Sequence, residues 1–162
     1  IDYISVAARM GLDPAALRLL VATDRVTLSN GVWLALMLAR AGGPEAAGHA
    51  GPAIEWISRT PYVPPNDRPR FDPKDAARQL KYEIGKRGLG SKLVSPPRLV
   101  PSLDLGGCTL KGWDFHLERD ADDPLPQGAE PCFFHIAFER PVTGPLALGW
   151  ACHSGLGQFI PV

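Results

Sequence analysis

An α+β fold is predicted for this chain of 162 residues by three features of its sequence. One well-marked amphipathic helix lies between short strand-like segments. A nine-residue segment, CFFHIAFER (132–140), alternates apolar with mixed positions, and Gly and Pro, 17 of each, enforce short elements and many turns. That content disfavours a helical bundle, while 45% apolar and 21% charged residues is the balance of a folded chain rather than a disordered one.

The elements follow in order. Asp13-Pro14 is a cap followed by a first-turn proline, and Leu17, Leu20 and Val21 then recur at helical spacing. A second helix is predicted from about Gly31 to Arg40, capped by Ser29 or Asn30 and stopped by Gly42-Gly43, with Trp33, Leu36 and Met37 in the core. The stretch AGGPEAAGHAGPA (41–53) reads as a linker or surface loop that leaves His49 exposed. It divides the chain into a helical segment, 1–50, and a second domain, 51–162. Because the sequence begins with Ile1, it reads as a piece of a longer protein.

In the second domain, EWIS begins a strand that ends in the proline-rich turn TPYVPPNDRP. The turn delivers a helix with complete punctuation: Asp72 as cap, Pro73 in the first turn, Asp75 at the positive end, Gly88 as terminator. Ala77, Leu80 and Ile84 form its buried stripe. Pro97 to Leu110 is predicted to be one strand and a turn at Gly106-Gly107, and Trp113 to Arg119 another short strand, with Trp113 in the core. After the solvated loop DADDPLPQGAEP comes CFFHIAFER, with Cys132, Phe134, Ile136 and Phe138 facing inward and His135, a structural histidine, half-exposed on the other face. A helix between strands that are not all in one run is most simply arranged as a split βαβ, ferredoxin-like unit.

Charge sums to zero but is unevenly placed. Residues 66–98 hold nine basic against four acidic side chains, a net +5; residues 99–140 hold three against eight, a net −5. Arg68, Arg70, Lys74, Arg78 and Lys81 are thus candidate phosphate contacts. The competing reading is a solvated helix face, since Lys86 and Arg87 already suit the helix's negative end. An aromatic with basic neighbours, Trp113 beside Lys111 and His116, is a further candidate for stacking on a base. The three cysteines, Cys108, Cys132 and Cys152, support neither a disulfide framework nor a zinc ribbon and fit a reducing cytoplasm. The most apolar run, Val32 to Leu38, falls well short of the roughly 20 residues a membrane helix needs.

The carboxyl end carries ALGWACHSGLGQF (147–159). Loops that cradle nucleotide phosphates are followed directly by a helix whose amino end meets the phosphate. Only QFIPV follows Gly157, with no lysine and no acidic residue, so both the dinucleotide and the P-loop arrangements are excluded. What remains is a loop of small residues whose backbone approaches a partner closely, its N–H groups turned to a polyanion, with His153 displayed.

Three blocks in order, WISRTPYVPP, the helix ending KRGL, and AFERPVTGPLALGWACHSGLG, resemble the CRISPR-associated repeat-RNA processing endoribonucleases. More particularly, they resemble the fused backbone-and-processing subunit of type I-G CRISPR surveillance complexes. That family's loop pattern is GhGxxxxxGhG, h being apolar. Gly149, Gly155 and Gly157 match three of its glycines, Ala147 stands at the first, and Ser154 stands where relatives frequently carry an aromatic residue. The resemblance covers roughly Glu55 to Val162. It implies a ferredoxin-like, RNA-recognition-type domain that binds the repeat-derived part of CRISPR RNA, partners the other subunits of a type I complex in the cytoplasm, and has no membrane partner. It further implies metal-independent, cofactor-free cleavage by attack of a ribose 2′-hydroxyl, or, in other members of the family, RNA binding without cleavage. On that reading His153 is the general acid-base residue, and Gly149, Ser154, Gly155 and Gly157 line the RNA together with the basic residues named above.

Overall fold

The computed structural model describes residues 12–27, 31–36, 50–89, 91–105, 107–115 and 124–162. The chain divides into two compact units, Ile1–Ala47 and Gly48–Val162, and the break falls inside the stretch expected to be a linker. No helix among the described residues is long and apolar enough to cross a membrane.

In the first unit, α1 (Pro14–Ala22) starts as its sequence dictates: the Asp13 carboxylate accepts from the N–H groups of Ala15 and Ala16 at 2.8 and 2.7 Å, with Pro14 in the first turn. The second helix expected here is corrected. Trp33–Ala35 (β2) is a strand, paired antiparallel to Arg25–Thr27 (β1). A run such as VWLALML satisfies either period, and an aromatic next to a β-branched residue favours the strand. Gly31, at φ +80°, takes a conformation between the two strands that no helix start would require. Trp33 is 63% exposed rather than core, and Leu36 is only partly buried. Met37, His49 and the proposed caps Ser29 and Asn30 lie outside the described residues.

The second unit runs β3 (Ala53–Ser58), α2 (Pro73–Lys86), β4 (Arg98–Val100), β5 (Leu103–Leu105), β6 (Cys108–Leu110), β7 (Phe133–Val142), β8 (Leu146–Ala147), β9 (Gln158–Pro161). Five of these strands form one antiparallel sheet in the order β4-β7-β3-β9-β8. Because β3 and β4 both pair antiparallel with β7, they run parallel to each other, and α2 is the crossover that joins them. The segment expected to hold one strand, Pro97–Leu110, holds three: β4 joins the sheet, while β5 and β6 form a separate hairpin. Strands of three residues are too short to show alternation. Trp113 is not in a strand either but in a 3-10 turn, Gly112–Asp114, fixed by the Lys111 N–H donating to Asp114 Oδ2 at 2.7 Å. It is 61% exposed, not core. His116 and the rest of that predicted strand beyond Phe115 lie outside the described residues.

The core lies between α2 and one sheet face. Phe134, Ile136 and Phe138 of β7, which alternate toward the helix, are fully buried against Trp56, Leu80, Ile84 and Phe159. α2 keeps its predicted punctuation: Asp72 accepts from Lys74 N–H at 2.9 Å, and Gly88 takes φ +59° just past the end. Its buried face adds Ala76 and Gln79 to Leu80 and Ile84, with Ala77 partly buried beside them. Toward its end β7 contains Pro141, which has no N–H to donate, and there the register with β3 shifts from Glu55 opposite Ala137 to Ala53 opposite Val142.

Candidate functional site

The glycine-rich segment connects β8 to β9 and is fastened to the chain just beyond β3. Leu148 N–H donates to Gly157 O at 2.9 Å, Gly157 N–H to Pro61 O at 2.8 Å, and Trp150 N–H to Val63 O at 2.9 Å. The Thr60 hydroxyl donates to Gly155 O at 2.8 Å and accepts from Gln158 N–H at 2.9 Å. From α2, Glu83 accepts the Gly149 N–H at 2.9 Å through one carboxylate oxygen and Arg87 at 2.8 Å through the other.

These contacts divide the glycines into two kinds. A Cβ on Gly157 would collide with the Leu148 carbonyl, and one on Gly149 would sit 2.7 Å from both the Tyr62 ring and Val63 O. Both are glycines because the protein's own backbone and core press on them. Internal packing thus accounts for glycine at these two positions. Gly155, at φ +98°, has open space where its Cβ would be. The expectation of outward N–H groups is corrected, since those of Gly149, Trp150, Cys152, Ser154, Leu156 and Gly157 all donate within the protein. Ala151 adopts φ +57° while buried beside Val63, Ala129 and Leu156, a left-handed conformation that a residue with a Cβ adopts at a cost of about 1 kcal/mol.

The crest of the loop is a single 3-10 turn, Cys152–Ser154. His153 and Ser154 are exposed on it, and the His153 ring makes no hydrogen bond or ion pair with any described residue. Beside the crest stands a cation that sequence reasoning assigned only to the helix dipole. The Arg87 guanidinium, 43% exposed, lies 3.7 Å from Cys152 Sγ while Glu83 holds it from behind. No local signal could have placed it there, because the two residues are 65 positions apart and Glu83/Arg87 reads as an ordinary i,i+4 pair.

The other predicted contacts divide by partner. Arg68 and Arg78 both pair with Asp75, at 2.7 and 3.0 Å, and Gln79 donates to the same carboxylate at 2.8 Å. That hydrogen bond and the one from Arg68 hold the Asp75 carboxyl below the usual carboxylate range. Arg70, Lys74 and Lys81 are exposed and have no ion pair among the described residues. His135, half-buried as expected, pairs with Glu55 at 3.0 Å on the sheet face turned away from α2. Beneath the loop, the buried Tyr62 hydroxyl has no hydrogen-bond partner among the described residues, and burial, reinforced by the Glu83 charge, drives its pKa upward. Burial also pushes the Cys132 thiol up to about 12, which keeps it protonated in the core.

No protein-family model, curated protein or solved structure matches this chain.

Proposed function

We propose that the second unit is a ferredoxin-like, RNA-binding module that holds the repeat-derived part of CRISPR RNA within a type I surveillance complex and cleaves its precursor. The strand order β4-β7-β3-β9, with α2 crossing from β3 to β4, supports the ferredoxin-like reading, β8 and the glycine-rich loop occupying the second crossover. The observation that carries the functional reading is the loop itself. Its ends are pinned to Pro61, Val63 and Glu83, so that His153 and Ser154 are displayed at a fixed crest beside Arg87.

The chemistry proposed is the one that the resemblance of the three sequence blocks implies. A ribose 2′-hydroxyl attacks the adjacent phosphorus, losing its proton to a base. The P–O5′ bond breaks, and the 5′ oxygen takes up a proton, leaving a cyclic phosphate and a free 5′-hydroxyl. His153 carries one of these protons, since imidazole is the side chain suited to moving protons at neutral pH. Arg87 is the nearby cation for the charge that builds up on the phosphorane oxygens. Arg70, Lys74 and Lys81 contribute backbone affinity that falls as salt rises.

A second reading, RNA binding without cleavage, is favoured by one observation: no described side chain orients the His153 ring. One experiment separates the two. The chain is incubated with repeat RNA in chelator, as parent and as His153→Ala. Cleavage with a cyclic phosphate end in the parent alone is the expected result. Equal cutting by the variant removes His153 from the mechanism. Binding without cutting by the parent establishes the scaffold reading, and a parent that does not bind repeat RNA overturns both.

A further inference from the structure

The outward face of α2 is assembled differently from a merely solvated helix. Lys74, Arg78, Lys81 and Lys86 lie along it; Asp75 takes one of these, Arg78, together with Arg68 and Gln79, while Glu83 turns to the glycine-rich loop, so that Lys74 and Lys81 have no ion pair among the described residues. In the middle of these cations stands Tyr82, 64% exposed, with Lys86 Nζ 4.7 Å from its ring centre. One turn further along the same face is Gly85. Glycine disfavours a helix interior, and here no packing demands it, since a Cβ at Gly85 would meet nothing within 4 Å. The effect of Gly85 is to leave the helix surface bare beside an exposed aromatic ring.

An aromatic ring set in a row of cations, with clear space beside it, is what a single-stranded nucleic acid requires. The cations follow the phosphates, and the ring receives an unpaired base on its face. A duplex keeps its bases stacked on one another and offers that ring nothing. We propose that Tyr82 is a base-stacking platform, and that the outward face of α2 binds RNA as a single strand in preference to a duplex. The proposal rests on the RNA-binding reading above and assigns to it a strand state and a residue.

The test measures binding of the whole chain to a single-stranded RNA and to a duplex of the same sequence over a series of salt concentrations. The variants are Tyr82→Ala, Tyr82→Phe and Tyr82→Leu, together with the charge variant Arg78→Ala/Lys81→Ala. Tyr82→Ala and Tyr82→Leu should weaken single-strand binding by about 5- to 100-fold with the salt slope unchanged. Tyr82→Phe should bind as the parent does, and duplex binding should be indifferent to all three. The charge variant should flatten the salt slope instead. If the parent binds single strands but Tyr82→Ala binds them equally well, the stacking proposal is wrong while the RNA reading stands. If the parent binds no RNA, or binds polyglutamate as tightly, both readings fall.

Discussion

The two ends of the glycine-rich loop and its crest share a composition and differ in everything else. At the ends, Gly149 and Gly157 are pressed against Tyr62, Val63 and Leu148, and their N–H groups serve the fold. At the crest, His153 and Ser154 are exposed, and Gly155, though its carbonyl is held by Thr60, has open space where a side chain would go. The difference teaches that glycine spacing in such a loop records two demands. One is the need to fold a chain tightly against its own strand; the other is the need to hold a small exposed turn still.

The sharpest way to break this comparison is to add a methyl group at each kind of position. Gly157→Ala forces a Cβ into the Leu148 carbonyl and should destabilise the unit by about 3 kcal/mol in denaturant unfolding. Gly155→Ala has only its positive φ to contend with and should cost about 1 kcal/mol. Equal losses at the two positions would abolish the distinction between ends and crest. Between them, Ala151→Gly relieves a left-handed alanine but gives up a buried methyl and adds unfolded-chain entropy, so it should leave stability within about 1 kcal/mol of the parent with no effect on RNA binding, read by thermal unfolding.

The hub at the amino end of α2 gives a pH prediction. Asp75 has its pKa lowered in the folded state, so its contribution to stability is present above the unfolded value of about 3.9 and is lost as pH falls through the folded value. Asp75→Asn should therefore flatten the acid limb of stability below about pH 4, as followed by unfolding midpoints across pH. An acid limb identical to the parent's would show that Arg68 and Gln79 do not hold the carboxylate in solution. The smallest effect belongs to the crest: His153→Ala should change unfolding stability by less than about 0.5 kcal/mol, because the residue is exposed and no hydrogen bond or ion pair joins its ring to any described residue.

What was legible in the sequence was what local chemistry determines. Asp72, Pro73 and Gly88 bracket α2 because caps and terminators act within one turn, and β7 announced itself because apolar residues recur at every second position from Cys132 to Phe138. Trp33–Ala35 was misread because a short apolar run has no period of its own, and β4 to β6 were merged because three residues cannot display one. In the loop, the glycines and the exposed histidine were readable, but the division of labour among the glycines was not. It is set by Tyr62, Val63 and Leu148, and by a strand and a helix far away in the chain. Arg87 was missed for the same reason, since its neighbour Cys152 comes to it only through the docking of the loop on Glu83.

The account stands on the claim that the crest, and not the ends, meets RNA. Of the four histidines in the chain, His153 alone is assigned to that contact, while His135 is held by Glu55 on the sheet face turned away from α2. Titrating repeat RNA into the protein while recording histidine ring proton resonances tests this directly. The account predicts that the His153 resonances move or broaden as RNA binds and that those of His135 stay in place. A complex that forms while His153 remains unmoved would contradict it.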